Sequence, residues 1–383
     1  MGIQFRLGSG DHKVVEDFVS RDARGVSAII LDTKGARHQR GAAEAAVRAG
    51  LSVFWDPAVE RLADQGFGQE KYPLWFGWPY NLNELATSSS AREQLVQATI
   101  EAHPDFVSHV TAPHFYVENE RGLYLNVALA EMMRLAQPDR PLRVVVTMAN
   151  RAARLLAATC ARELAAAGIR EVELRLSPLG GEDESLGKIR DAFEALKRFQ
   201  DAGLQVTLGH SGNIGQVAVA LGLAHDYSVG VGLLERTDHK ALINRQKSKP
   251  KPRTDDNSSH GALAGIYLPG IAATVPRELG KKLLNNTDIR TSIGCRIGSC
   301  GDSVRGPADD IRGHYLHAKA AEMAKLQEAP PSWRPTIELN RLRSARELRV
   351  RLNTHHAPKD KPIIKTRTVR SLMDGLEERR QAS

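Results

Sequence analysis

The sequence predicts an α/β fold, a (β/α)8 TIM barrel with a C-terminal cysteine/histidine insert and a basic helical tail. Two observations carry this prediction. Short apolar, β-branched runs alternate eight times with amphipathic stretches, the signature of parallel strands joined by crossover helices. The chain also has 383 residues, 42% hydrophobic and 26% charged, which is a globular composition long enough for a barrel of about 250 residues plus an appendage.

The expected strands are Ile3–Leu7, Ser27–Asp32, Ser52–Asp56, Asp105–Thr111, Leu142–Met148, Glu171–Ser177, Gln205–Gly209 and Tyr227–Gly232. Amphipathic segments such as Arg151–Gly168 and Leu186–Gly203 lie between them, each stopping at a glycine as helices commonly do. Cys160 sits in the first of these and reads as packing. The connection between the third and fourth strands is long. It holds Tyr72, Trp75, Phe76, Trp78 and Tyr80 among prolines, and reads as a lid or a binding loop. An open doubly wound sheet is the alternative architecture, but Gly8-Ser9-Gly10 is too short for its glycine fingerprint.

Composition divides the chain into a barrel core (1–240), a basic loop with a possible zinc-binding subdomain and closing helix (241–330), and a basic helical tail (331–383). Pro330-Pro331 marks the last boundary, and a basic helix is expected near Glu338–Leu352. Residues 331–383 hold 13 Lys/Arg against 6 Asp/Glu, so the body before them is nearly neutral. A second cluster runs through Lys240, Arg245, Lys247, Lys249, Lys251 and Arg253. Basic edges on a neutral body suit a polyanion such as nucleic acid, because neutralised phosphates release counterions. No apolar run approaches the roughly 20 residues of a membrane span. The first residues lack a signal-peptide pattern, and Arg6 breaks the myristoylation motif begun by Gly2. Three cysteines argue against a secreted disulfide framework, so a cytoplasmic location is expected.

Barrel chemistry belongs at the C-terminal strand ends. The polar candidates there are Asp11, Asp32, Asp56, His114, Asn150, Ser177, His210, Asp226, Ser228 and Glu235. Two glycine-rich stretches stand out. Gly209-His210-Ser211-Gly212 follows the seventh strand and opens a helix, where backbone N–H groups could approach a phosphate or a base. Gly180-Gly181-Glu182 follows the sixth strand, and its neighbouring acids favour a neutral or cationic heterocycle.

The order of motifs resembles that of the tRNA-guanine transglycosylases and their DNA-modifying 7-deazaguanine relatives. The resemblance covers roughly residues 170–320. It rests on Leu179-Gly180-Gly181-Glu182, on Thr207-Leu208-Gly209-His210-Ser211-Gly212, and on Val219-Ala220-Leu221-Gly222 leading to Asp226. Cys295 and Cys300 keep the spacing of the outer two family cysteines, and His314 follows on a helix. The resemblance implies exchange of guanine for a small deazapurine base in tRNA or DNA through a covalent aspartyl-glycosyl intermediate. It implies Asp226 as nucleophile, with Ser228 the other position that role can fall on. Asp56 becomes the acid/base, with Asp64 as its rival. It also implies zinc on Cys295, Cys300 and His314. Ile297 replaces the family's middle cysteine, so His317 or Asp302 would complete four ligands. Lys247, Lys249, Lys251 and Arg253 are the expected nucleic-acid contacts. Two other readings stay open. One is a barrel enzyme binding a small phosphorylated substrate at Gly209–Gly215 and Gly230–Gly232. The other is a non-catalytic nucleic-acid-binding barrel.

Overall fold

The computed structural model describes residues 1–232, 235–248, 265–298, 300, 306–356 and 362–382. Eight parallel strands form the barrel: β1 Gly2–Arg6, β2 Val26–Leu31, β3 Ser52–Trp55, β4 Val110–Thr111, β5 Leu142–Ala149, β6 Glu171–Ser177, β7 Gln205–Leu208 and β8 Asp226–Gly230. Their hydrogen-bonded order is β3-β2-β1-β8-β7-β6-β5-β4. The seam between β3 and β4 is closed without a regular ladder. Ser108 N–H donates to the Val53 carbonyl at 2.9 Å, and Val53 N–H donates to Ser108 Oγ at 2.8 Å. This serine takes over part of the expected fourth strand, which is why β4 keeps only two residues. The chain pairs again with β5 at Val117, opposite Met148. His114 and Tyr116 are thereby carried along the C-terminal rim.

Helices fill the crossovers as the periodicity requires, among them α1 His12–Arg21, α2 Arg40–Arg48, α3 Glu120–Ala136, α4 Asn150–Ala166, α5 Leu186–Asp201 and α6 Gly212–Ala220. Ala42, Ala43, Ala45 and Ala46 on α2, and Ala153, Leu156, Ala157, Cys160 and Leu164 on α4, face one continuous hydrophobic core around the sheet. Burying a Val, Leu or Ile side chain there contributes about 1.5–3 kcal/mol each.

The interior of the barrel departs from the usual filling by branched apolar residues. Its apolar part is Ala28, Ile30 and Phe54. The rest is polar and continuous. Asp226 accepts from Gln4 at 2.9 Å, and Arg143 reaches both Gln4 and Glu173. Arg175 spans Glu173 and Asp56, and Arg6 donates to Asp56 at 2.8 Å. Buried charges survive only when paired in this way.

After the barrel comes α7, Ile311–Glu328, whose Tyr315 and Leu316 pack against the barrel wall. The short strands Ile266–Leu268 and Ala273–Val275 pair antiparallel and build a smaller second core with Leu283, Leu284, Ile289 and Ile293. Two tail helices follow, α8 Arg334–His356 and α9 Arg367–Ala382. They are packed elements rather than a loose basic arm. Leu339, Leu342, Val369, Leu372 and Leu376 join the barrel core, while Leu352 and Ile364 join the second core.

Candidate active site and candidate metal centre

The C-terminal mouth gathers Asp56, Glu60, His114, His210, Arg6 and Arg175. Asp56 follows β3 directly and is fully buried. One carboxylate oxygen takes the Ala58 N–H at 2.8 Å, and the other takes Arg6 and Arg175 at 2.8 and 2.7 Å. Burial pushes its carboxyl up, but the Arg175 and Arg6 guanidiniums outweigh burial and hold it well below the usual carboxylate range. Glu60 lies one turn later on the short helix Val59–Arg61. Burial raises its carboxyl too, and His114 overrides that, leaving it at about 2. His114 Nε2 stands 3.2 Å from Glu60 Oε2 and 4.0 Å from Asp56 Oδ1. His210 adopts φ +51° just past β7, and burial, with Arg175 and Arg6 nearby, lowers its pKa well below the ordinary value. It stands there as a neutral imidazole.

Glu60 Oε2 and His114 Nε2 are buried facing each other, and Thr147 Oγ1 and His210 Nε2, toward the ends of β5 and β7, are buried with no hydrogen-bond partner. An unpaired buried polar atom costs roughly 1–3 kcal/mol, so these atoms mark a place where a ligand completes the bonding. Asp56, Glu60 and His114 also bring their donor atoms within 4.8 Å of one another. Arg6 and Arg175 against Asp56 oppose a cation there.

The structure corrects the expected nucleophile. Asp226 is the first residue of β8 and pairs with Gly2, so it lies at the N-terminal mouth, at the opposite end of the barrel from Asp56. It accepts from Gln4 and contacts His225 at 3.1 Å, beside a cavity of about 150 Å³ at that end. Ser228, the other position considered, sits inside the barrel and donates to Glu173 at 2.9 Å. Asp64 is half-exposed and paired with Lys247 at 2.8 Å. This pairing also occupies the one expected nucleic-acid contact within the described residues, because Lys249, Lys251 and Arg253 lie outside them.

Both glycine loops are shaped by packing. Gly180 has φ +109°, and a Cβ there would lie 2.3 Å from the Glu235 carbonyl oxygen, because Leu179–Gly180 pairs antiparallel with Arg236–Thr237. Gly181 N–H donates to that same carbonyl at 3.2 Å. Glu182 turns to the tail, where Arg349 takes its carboxylate. A Cβ on Gly209 would come within 2.5 Å of Glu173 Oε1. His210 and Ser211 N–H bond to Ser228, and the Glu235 side chain covers Gly212 at the start of α6. A carboxylate over that helix start repels phosphate, which weighs against the small-phosphate reading at this loop. Glu60 escaped the sequence reading because Pro57–Arg61 lacks strand or helix periodicity. Arg6 and Arg175 carried a signal, as charged residues at alternate positions of otherwise apolar strands.

The cysteines and histidines converge as expected. Donor atoms of Cys295, Cys300, His314 and His317 all lie within 4.8 Å of one another, with Cys295 Sγ 3.3 Å from His317 Nε2 and Cys300 Sγ 3.4 Å from His314 Nδ1. Tetrahedral zinc with bonds of about 2.0–2.3 Å needs ligand–ligand edges of about 3.3–3.8 Å, so the set fits. His314 Nε2–H donates to the Tyr267 carbonyl at 2.7 Å, which turns the lone pair of Nδ1 toward the cysteines. The facing Cys300 pushes the Cys295 thiol below its ordinary value while the Cys300 thiol is pushed above its own, as in two thiols that share one proton. His317 thus stands where a fourth ligand was sought, and Asp302 lies outside the described residues. Zinc held here would staple the second core to α7, a structural role.

No protein-family profile matches the chain, and no curated protein sequence does. Among solved structures, it is similar to a thiamine phosphate pyrophosphorylase from Pyrococcus furiosus (TM-score 0.33, 8% identity, covering 64% of this chain and 93% of that one). It is also similar to xylanase 10B from Thermotoga maritima (0.36, 12%, 60% and 82%). A third is a chain described as a deoxyribose-phosphate aldolase from Toxoplasma gondii ME49 (0.36, 12%, 66% and 95%). Likeness this loose carries no argument about chemistry. The class is defined by the chain's own strands: a TIM barrel whose polar rim lies at the C-terminal mouth.

Proposed function

We propose that this barrel is a guanine-transglycosylase-like enzyme that exchanges a base at a glycosidic bond in nucleic acid, with its chemistry at Glu60 and His114 instead of Asp226. The observation that supports this reading is the buried pair Glu60 and His114, whose Oε2 and Nε2 face each other at 3.2 Å at the C-terminal mouth. In this reading the ionised Glu60 carboxylate attacks the nucleoside C1′. The C–N bond breaks, its electron pair leaves with guanine, and His114 delivers a proton to the departing base. The incoming base gives its proton back to His114 as it displaces Glu60. Asp56 Oδ1 lies 4.0 Å from His114 Nε2 and is itself fixed by Arg6 and Arg175. Zinc at Cys295, Cys300, His314 and His317 supplies structure and takes no part in the exchange.

The experiment is exchange of radiolabelled guanine into tRNA and duplex DNA by the metal-replete full chain. Glu60→Gln and His114→Asn are expected to reduce incorporation at least about 100-fold, the scale of lost acid–base or nucleophilic help. No incorporation into either nucleic acid by wild type, or full activity in Glu60→Gln, sinks the proposal.

A further inference from the structure

We infer a phosphate-binding site at the N-terminus of α4, in a cavity separate from the Glu60–His114 pair. The cavity is about 480 Å³, within the range of small-ligand sites, and lies between the ends of β5 and β6 and the helices that follow them. Three features converge on it. First, α4 is a helix of 17 residues whose N-cap is Ala149, which offers no capping side chain. Its first N–H groups and its dipole therefore present positive potential to the cavity. Second, Asn150, the first residue of that helix, is 6% exposed, lines the cavity, and has no hydrogen-bond partner for Oδ1. Third, the walls carry Arg151, Arg154, Lys188 and Lys240.

These cations are not all neutralised one for one. Arg154 has Asp191 at 2.7 Å, and Lys188 has Glu184 at 3.1 Å. Arg151 and Lys240, however, share the single carboxylate of Glu118, at 3.5 and 3.0 Å. Asp238 also lines the cavity and is held by Arg236 at 2.9 Å, so one positive charge of this set is left over beside the helix start. Both arginines are long and mostly exposed, so they can swing onto an entering anion. A phosphate there takes N–H groups from the helix and a guanidinium fork from Arg151 or Arg154. The leftover acceptor, Asn150 Oδ1, needs a donor, which phosphate lacks at neutral pH. A ligand that satisfies both has a phosphate and a hydroxyl or ring N–H a few ångströms apart, as a sugar phosphate of a nucleotide has. This site differs from the glycine loop before α6, where Glu235 occupies the helix start.

The source of the phosphate is either a free nucleotide or the backbone of a polynucleotide. Calorimetric titration of the full chain with guanosine 5′-monophosphate, guanosine, inorganic phosphate and a short single-stranded oligonucleotide without terminal phosphates separates them. Guanosine 5′-monophosphate is expected to bind at least tenfold more tightly than guanosine, or the oligonucleotide to bind where guanosine does not. The first result assigns a free nucleotide and the second a backbone phosphate. The double variant Arg151→Gln/Arg154→Gln lies on the exposed face of α4 and leaves the core untouched. It is expected to erase most of that preference while its melting curve stays unchanged. Equal binding of the phosphorylated and unphosphorylated probes overturns the site, and so does a preference that survives in the double variant. The titration needs no turnover, so base exchange and phosphate binding succeed or fail separately.

Discussion

The two mouths of the barrel are built from similar residue types and differ in which of those residues are paired. At the N-terminal mouth Asp226 has Gln4, His225 and, at 3.7 Å, the terminal ammonium around it. Hydrogen bonds from His225 and Gln4 keep its carboxyl below the ordinary value despite burial, so it is ionised and spoken for. At the C-terminal mouth the charges are equally buried, with Glu60 and His114 facing each other and His210 Nε2 and Thr147 Oγ1 open, while the N-terminal end leaves Arg143 Nη1 and Thr111 Oγ1 open. The two ends differ in which groups stay open: the N-terminal one ties up its carboxylate, and the C-terminal one sets a carboxylate against an imidazole. An acid near a strand therefore says little until its end of the strand is known.

Four measurements would break or sharpen that contrast, in falling order of expected effect. Stripping metal with a chelator, or Cys300→Ser, should cost several kcal/mol, because a structural zinc site contributes folding energy directly. Elemental analysis with a urea melt checks this, and an unchanged melt in a metal-free sample refutes it. Asp56→Ala should destabilise by about 3–5 kcal/mol, since it strands the Arg6 guanidinium in the interior. A loss under about 1 kcal/mol would show that water reaches the C-terminal mouth more freely than the burial of Asp56 implies.

The β3–β4 seam offers a test by pH. His103 Nδ1–H donates to the Thr99 carbonyl while Nε2 accepts the Thr111 N–H, and burial pushes its pKa down to about 4 from 6.5. The unfolded chain takes up this proton below pH 6.5 and the folded chain does not until pH 4. The associated stability is full above pH 6.5 and falls by up to roughly 3 kcal/mol as pH drops through 4. Melting temperatures from pH 7 to 4 should show a shallower decline in His103→Gln than in wild type. Smallest of all, Asp226→Asn should cost about 1–2 kcal/mol and leave guanine exchange within about twofold of wild type. Loss of exchange in a folded Asp226→Asn protein would return the chemistry to the other mouth.

Much of this architecture was legible beforehand. Seven strands fall within about two residues of their expected bounds, because β-branched runs between glycines leave few alternatives; the fourth shrank where Ser108 took over its pairing. The convergence of Cys295, Cys300 and His314 was implied by the family resemblance, which left His317 and Asp302 both open as the fourth member; the donor atoms of His317 join the cluster. The site was less legible. Alternation tells which residues share a face and not which end of the barrel they occupy, so Asp226, one residue before the expected start of β8, was assigned to the wrong rim. Gly180 and Gly181 look like a ligand loop because a strand crossing at van der Waals distance asks for the same missing side chain. Glu60 gave no signal, for its partner His114 is 54 positions away and only folding brings them together.

The tail helices carry a last consequence. Arg349 is completely buried, binding the carbonyls of Ile271 and Ala272 and the Glu182 carboxylate. Arg341, Arg343, Lys365 and Arg367 likewise find acids on neighbouring elements, the last two sharing Asp183. The pairs leave the net charge of +8 unchanged and decide where on the molecule the excess sits. Trimming the last fifty residues to obtain a less basic protein would unpin the loop that follows β6, and what precipitated would be a barrel with an open side.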